Sequence, residues 1–547
     1  MSEIRFRPAG ERAVLVELGS TIDETLNERV RALDETLLDS PFPGYLEAVP
    51  AYCSILVFYE PRDITFEDVR EHIARLAKGL EKVKLPPGPL KKIPAVYDGE
   101  DLEEVARLSG TTAEEVVHLH AGVEYRVFVV GFTPGFAYMG MTDEKISLPR
   151  RSTPRTRVPA GSVAIAMGQT GIYPQATPGG WHLLGRAEHR TLFDLDADPP
   201  SFFLPGDRVR FVPVEALPPY EPVRPHSAAS TAMESAGSAS FEVEDGGLWT
   251  TVQDLGRRGY QRYGVPVAGA VDPLALRAAN ALVGNDEGAA ALECTANGPR
   301  LHCLRPAIAA VTGADLGAVV ERSDLGRWHP PPWSAFRLRP GNVLSFEGRR
   351  SGARAYASFR GGVDVPLVLG SRSTYQTAGF GGYEGRALRA GDRLVLGEAK
   401  DVTASLGSAS PPAPPDDDAL RVVWGPQDHD FTAEARASLT SSTYTVGASS
   451  DRMGYRLEGP VLEHRDRKEI VSDGMMLGGI QVPPNGLPIV MLADCATTGG
   501  YPKIATLVTK DVPRLAQLIP GEPVRFRAVS LDEARAIYLE EDGATTV

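Results

Sequence analysis

Cysteine and long apolar runs are scarce in this chain of 547 residues, and each scarcity removes a class of function. The four cysteines, Cys53, Cys294, Cys303 and Cys495, stand far apart and form no CxxC pair. A disulfide scaffold or a zinc ribbon needs closely paired cysteines, so neither fits. Of ten histidines only His118 and His120 are close neighbours, and no HExxH helix accompanies them, so no metal ligand is assigned. The apolar runs, such as Ala51 to Tyr59, extend for nine residues, against roughly 20 needed to cross a bilayer. The N-terminal MSEIRFRPAGERAV carries no apolar signal-peptide core. The chain is expected to be soluble and cytoplasmic, with no membrane partner. Its net charge is −14, and Asp and Glu alternate with Arg throughout, so no basic face is available for nucleic acid. Phosphate-loop, nucleophile-elbow, kinase and dinucleotide-binding signatures are also absent.

What is abundant is punctuation. Fifty-six glycines and 45 prolines fall between short runs rich in Val, Ile, Leu and aromatics, the pattern of many short strands. Residues 1–85 read as a small α/β domain, with strands in IRFRPAGERAVLVEL and YCSILVFYE and helices in IDETLNERVRALDETLL and from Phe66 to Leu80. The prolines of KLPPGPLKKIP end it. Residues 86–217 are mostly β with one helical stretch from Leu102 to Leu119. Two segments poor in large apolar side chains, 218–240 and 404–418, read as linkers, leaving 241–403 and 419–547 as further β-rich units. Four segments repeat one pattern: PGDRVRF at Pro205, PGNVLSF at Pro340, AGDRLVL at Ala390 and PGEPVRF at Pro520. Each predicts a tight turn feeding a strand, with glycine supplying a positive φ. Upstream of the first and last copies, TPGGWHLL at Thr177 matches TTGGYPKI at Thr497. Duplicated, barrel-like β units follow from this two-part repeat.

Several segments carry groups suited to chemistry. YRVFVVGFTPGFAYMG, Tyr125 to Gly140, begins as a strand and becomes a glycine loop able to aim backbone N–H groups at an anion or an oxyanion, or simply to turn a barrel corner. PRRSTPRTRVPAG places Arg150, Arg151, Arg155 and Arg157 within eight residues, suiting bidentate capture of carboxylate or phosphate, with solvated arginines as the alternative. In the second half Gln253, Asp254, Arg257 and Arg258 occupy a glycine-rich loop ahead of a helix that Asp272 caps and Pro273 begins. Near the end lie Arg452, Arg456, Gln481, Asp494 and Lys503. Lys503, one of only ten lysines, sits in an apolar, glycine-bearing strand. It reads as a phosphate or carboxylate contact or as a snorkelling edge residue.

At these residues the chain resembles two known families. GFTPGFAYMG, PRRSTPRTRVPAGSVAI and GIYPQATPGGWHLLGR are similar to the KipI family, also called allophanate hydrolase subunit 1 or the 5-oxoprolinase B subunit. VQDLGRRGYQRYGVPVAGAVDPLALRAANALVGN, RGGVDVPLVLGSRST, SDRMGYRLEG and DGMMLGGIQVPPNGLPIVMLADCATTGGYPKIA are similar to the KipA family, allophanate hydrolase subunit 2 or the 5-oxoprolinase C subunit. The chain resembles a fusion of the two. The resemblance implies a mainly β fold with α/β content: duplicated cyclophilin-like barrels, one in the first half and two in the second, behind the small N-terminal α/β domain. It implies the fused B and C components of an ATP-dependent 5-oxoprolinase, using ATP with Mg2+ as co-substrate to open 5-oxo-L-proline to L-glutamate with a separate LamB/YcsF-type subunit. The same pair resembles the carboxyltransferase region of urea carboxylase. No Met-Lys biotinylation turn, ATP-grasp length of chain or amidase Ser-Ser-Lys signature is present, so biotin is not attached to this chain. Two alternatives stand beside the 5-oxoprolinase expectation: a biotin-dependent carboxyltransferase component served by a carrier protein, and a non-enzymatic regulator of a histidine kinase. Homo-oligomerisation stays open.

The site is expected between the KipI-like barrel and the KipA-like barrels, because the richest Gly and Arg segments lie on opposite sides of the linker. The candidate catalytic residues are His120, Arg155, Arg157, Gln169 and Lys503, with His120 as a proton shuttle. The candidate substrate-binding residues are Gly131, Phe132, Pro134, Gly135, Tyr138, Gly179 and Gly180 in the first half. In the second half they are Gln253, Asp254, Arg452, Gln481, Gly499 and Gly500.

Overall fold

Four antiparallel strands open the chain, in the spatial order Arg5–Pro8, Ala13–Glu17, Ser54–Tyr59, Tyr45–Pro50. Successive side chains of a strand take opposite faces. Val14 and Val16 pack beneath the helices Glu24–Asp39 and Phe66–Ala77, against Val30, Leu33, Val69 and Ile73. Ala13 and Leu15 pack the other way, with Val49, Leu56 and Met476. Both faces are covered, which explains why these strands read as unbroken apolar runs. The side chains of Asp23 and Thr65 accept the amides of Leu26 and Asp68 and so start the two helices. The structure, a computed structural model, describes residues 4–80, 83, 85–189, 192–217, 239–399, 407–411 and 417–540. The expected linkers 218–240 and 404–418 lie largely outside the described residues.

Two closed seven-stranded barrels repeat one strand order. In the first, Leu90–Val96 runs parallel to Arg208–Pro213 and antiparallel to His182–Ala187. In the second, Leu420–Trp424 runs parallel to Pro523–Ala528 and antiparallel to Lys503–Leu507. The turn motif behaves as its glycine predicts: Gly206, Gly341, Gly391 and Gly521 have φ of +96°, +84°, +92° and +92°, and each turn feeds a strand. The single helical stretch expected from Leu102 to Leu119 is two helices, Leu102–Leu108 and Ala113–Ala121. Gly110 at φ +64° separates them, and the Thr112 hydroxyl caps the second.

Between the barrels, a six-stranded and a five-stranded sheet share one core. Phe241, Val243, Leu301 and Leu344 of the first meet Leu292, Ala309, Phe336 and Phe359 of the second. A third closed barrel was the expectation here, and these sheets instead stay open and stack. The repeated turn reports a local glycine conformation, whereas closure depends on which distant strands pair. The helix Pro273–Val283 lies on the five-stranded sheet through Ala275, Leu276 and Ala279, with Asp272 accepting the Ala275 amide at 3.0 Å.

Candidate functional site

The two TxGG segments take equivalent places in the two barrels. Each runs from a two-stranded flap into a barrel strand: Thr177–Gly179 pairs with Arg155–Val158, and Thr498–Gly499 pairs with Asp473–Gly474. In the first barrel the amides of Gly99 and Asp101 donate to the carbonyls of Leu184 and Leu183 at 3.0 and 3.1 Å, and Asp101 accepts the Leu183 amide at 2.7 Å. In the second, Gly425 and Gln427 donate to Ile504 and Lys503 at 2.9 and 3.2 Å, and Gln427 Oε1 accepts the Lys503 amide at 3.2 Å. The frame is one and the side chains differ. Asp101 holds Arg151 and Arg155 at 2.8 and 2.7 Å. At the matching place Gln427 Nε2 donates to Asp473 at 2.9 Å, and the Lys503 ammonium pairs with the same carboxylate.

These two corners face each other across the barrel contact. The Phe132 amide, on a residue held at φ +65°, donates to Thr498 Oγ1 at 3.0 Å. Gly131 is needed there, because a Cβ on it would lie 2.4 Å from the Thr498 hydroxyl. The far side of the same loop is clamped by the middle unit: Gly135 donates to the Tyr263 carbonyl at 3.0 Å, and a Cβ on Gly264 would meet the Thr133 carbonyl at 2.4 Å. Pro134 is buried in this clamp. Behind the loop stands an aromatic wall of Tyr52, Phe136, Tyr138, Tyr173 and Trp181, with Phe136 and Tyr138 ring centres 4.8 Å apart. Gly179 lets the flap lie on Tyr173, whose hydroxyl would sit 2.4 Å from any added Cβ, and Gly180 passes Pro154. The Tyr52 hydroxyl donates to Gln169 Oε1.

Arg150 enters this cleft. Its guanidinium lies 3.7 Å from where a Cβ on Gly500 would stand, and its charge is felt at the hydroxyls of Tyr52, Tyr138 and Tyr173. Burial pushes the Tyr138 phenol up to about 12, with Arg150 and Thr498 holding it back. Among the described residues no carboxylate pairs with Arg150, and its buried Nε has no hydrogen-bond partner. A half-buried, unpaired guanidinium ringed by phenol hydroxyls and glycine backbone suits a small carboxylate or phosphoryl group.

The predicted residues divide accordingly. Gly131, Phe132, Tyr138, Gly179, Gly180, Gly499 and Gly500 meet at the cleft, and Gln169 reaches it through Tyr52. Gln481 lies just behind, its Oε1 3.5 Å from a Cβ placed on Gly499. Lys503 lies beneath the flap with no exposed surface, which leaves its ammonium to Asp473 and removes it as a direct phosphate contact. His120 is a second correction. It is fully buried in the first barrel, its ring nitrogens 2.7 Å from Tyr97 Oη and 2.8 Å from Thr170 Oγ1, and burial lowers its pKa to about 3. A neutral imidazole with both nitrogens engaged shuttles no proton. Arg155 is spent on Asp101 and Glu100, and Arg157 is exposed. In the middle unit, Gln253 bonds Thr251 and Thr374, and Asp254 accepts from Ser371, Ser373, Gly256 and Arg372, a knot that shapes the loop. Arg452 is a buried tie to Glu293 and Asp494, the latter at 3.1 Å. Arg150 stood in the arginine cluster but nothing in its spacing set it apart. Tyr52, Thr498, Asp473 and Gln427 carry no local signal, because each acts across more than 40 residues of chain or across the repeat. Among the described residues no three His, Cys, Asp or Glu side chains gather as metal ligands, and no helix is long and apolar enough to cross a membrane.

Comparison with known proteins agrees with the two-part layout. Residues 4–203 match the family model for the carboxyltransferase domain, subdomain C and D, and residues 263–528 match the carboxyltransferase domain, subdomain A and B. The 5-oxoprolinase C subunit of Escherichia coli K12 is 39% identical over 290 residues, covering 53% of this chain and 91% of that protein. The 5-oxoprolinase B subunit of Bacillus subtilis is 40% identical over 220 residues, covering 37% of this chain and 90% of that one. The urea amidolyase of Lachancea kluyveri is 32% identical over 330 residues, 56% of this chain but 18% of its own length. Among solved structures, TTHA0988 superposes with a TM-score of 0.80 at 38% identity, covering 94% of this chain and 99% of that one. The K. lactis urea amidolyase reaches 0.50 at 29% identity, covering 57% of this chain and 20% of that one.

Proposed function

Because the chain belongs to the carboxyltransferase-domain family and joins counterparts of the 5-oxoprolinase B and C subunits in one polypeptide, we propose that it is the fused B and C component of an ATP-dependent 5-oxoprolinase. The observation that supports this reading best is coverage. The two halves span 91% and 90% of the named subunits, against 18% of the urea amidolyase. The substrate is 5-oxo-L-proline, a lactam with one carboxylate, and the product is L-glutamate. ATP, as its magnesium complex, is the co-substrate, and the enzyme is completed by a separate LamB/YcsF-type subunit.

The inter-barrel cleft offers what this substrate needs. Arg150 binds the carboxylate through its guanidinium fork, the glycine backbone at Gly131 and Gly499–Gly500 permits close approach, and the aromatic wall keeps water from the ring face. An amide oxygen is a poor nucleophile and amide nitrogen a poor leaving group. Transfer of the γ-phosphoryl group to the lactam oxygen, with release of ADP, opens the ring carbon to attack by water; loss of inorganic phosphate and cleavage of the ring C–N bond, its nitrogen taking up a proton, then give L-glutamate. Orientation of the lactam in a preformed cleft supplies the proximity such a step requires. The domain divisions at 85/86, 218–240 and 404–418 belong to the same reading.

The test is reconstitution. The purified chain alone is expected to form no glutamate, and addition of the separate subunit with ATP and 5-oxoproline should produce glutamate and ADP together. The alternative, carboxyl transfer from a biotin carrier, draws on the family's carboxyltransferase description and predicts avidin-sensitive incorporation of bicarbonate instead.

A further inference from the structure

A cavity of about 450 Å³ lies where the N-terminal unit, the middle unit and the second barrel meet. None of the cleft residues Phe132, Tyr138, Arg150, Thr498 or Gly499 lines it. Five cationic side chains do: Arg12, Arg62, Arg258, Arg277 and Lys510. Three carboxylates accompany them, and each is already engaged in holding the walls. Glu11 accepts the Thr509 amide at 2.9 Å, and burial raises its pKa. Glu47 accepts the amides of Gly259 and Gln261 at 3.0 and 3.3 Å, fixing the turn that carries Arg258. Glu60 accepts the Tyr538 hydroxyl at 3.0 Å.

Arg12 and Arg62 lie 3.6 and 3.3 Å from Glu60, and Arg277 lies 3.4 Å from Glu287, but the lining's five cations against three carboxylates leave it net positive. Arg12 and Arg62 stack on the Tyr538 ring with guanidinium carbons 5.2 and 4.7 Å from its centre. Arg258 has no carboxylate within ion-pair distance among the described residues. The side chain keeps exposed surface while lining the cavity, and desolvation together with the charge of Arg12 lowers its pKa. Two guanidinium groups facing one space repel unless an anion lies between them. The volume is that of a small-molecule pocket, and several arginines lining one space are the chemistry that recognises a polyphosphate.

We infer that this three-way cavity binds the nucleoside triphosphate, with Arg12, Arg258 and Arg277 taking the phosphates. The inference rests on the 5-oxoprolinase reading for the identity of the anion and on the cavity for its location. It makes the nucleotide site dependent on both halves of the chain, since no single unit supplies all three arginines.

The test is calorimetric titration of the full chain with a non-hydrolysable β,γ-methylene analogue of ATP and, separately, with inorganic tripolyphosphate. Both should bind. Arg258→Gln and Arg12→Gln should each weaken both ligands by about tenfold or more, while Arg210→Ala, at an exposed position outside the cavity lining, should leave both affinities unchanged. Arg258→Gln breaks no ion pair, and matched thermal unfolding keeps a folding defect out of the result. Failure of the wild-type chain to bind either ligand, or undiminished binding by both glutamine variants, overturns the site. The two readings separate cleanly: normal 5-oxoproline turnover with unchanged ATP affinity in the variants removes the cavity and keeps the function. Weakened nucleotide binding in a protein without 5-oxoproline turnover does the reverse.

Discussion

Removing Arg150 is the perturbation that bears most on the inter-barrel cleft. The side chain makes no described ion pair and its buried Nε has no partner, so its loss should scarcely touch stability. Its charge, in contrast, reaches three tyrosine hydroxyls around the space where a substrate carboxylate would sit. A desolvated guanidinium–carboxylate pair typically costs about 2 to 5 kcal/mol when one partner is cut. Arg150 is half-buried, and solvent screening moves the figure to the lower end. Arg150→Ala is therefore expected to lose about 2 to 3 kcal/mol of transition-state stabilisation, roughly 30- to 160-fold in kcat/KM for 5-oxoproline. Arg150→Lys should recover part of this, since a point charge replaces the fork. The assay is glutamate formation in the reconstituted complex, alongside the melting temperature of the chain. A Tyr138 phenol freed of the cation should also titrate higher than it does beside Arg150, which now holds it down. Wild-type kinetics in an intact Arg150→Ala protein would refute the placement of the substrate carboxylate.

Other consequences are more local. Lys503→Met leaves the Asp473 carboxylate buried without its cation and should cost about 3 to 5 kcal/mol of stability; denaturant unfolding measures it, and adding Asp473→Leu should recover much of the loss. Gly131→Ala drives a methyl into the Thr498 side chain, with a cost of about 1 to 3 kcal/mol at the barrel contact; Thr498→Ala in the same chain should relieve it. His120 is held neutral, with its folded pKa near 3 against an ordinary 6.5. Its contribution to stability is thus present above pH 6.5 and lost as pH falls toward 3, because only the unfolded chain takes up the proton across that window. The slope is about 1.4 kcal/mol per pH unit, and His120→Gln should flatten that part of the stability profile without adding a new limb to the pH–rate curve.

Much of this architecture is legible in the chain because it is local. The four turn glycines, the Asp272 cap and the paired TxGG segments each depend on a few adjacent residues, and each takes the predicted conformation or an equivalent place in the structure. Barrel closure is not local. The turn at Pro340 resembles the turn at Pro205, yet one feeds an open sheet and the other a closed barrel. The same limit governs the arginine cluster. Arg151 and Arg155 are neutralised by Asp101, some 50 residues earlier in the chain, and only the packing of the second barrel turns Arg150 from one of four similar residues into the unpaired one. Lys503 stands out by rarity and apolar context, but its role follows from Gln427 and Asp473, whose positions only the duplicated frame relates to it.

The most direct measurement of the central claim is the ratio of glutamate to ADP formed by this chain with a purified LamB/YcsF-type subunit, taken with and without avidin. The 5-oxoprolinase account predicts equal amounts of the two products, dependence on both proteins and no effect of avidin. Avidin-sensitive consumption of bicarbonate with no glutamate formed would contradict it.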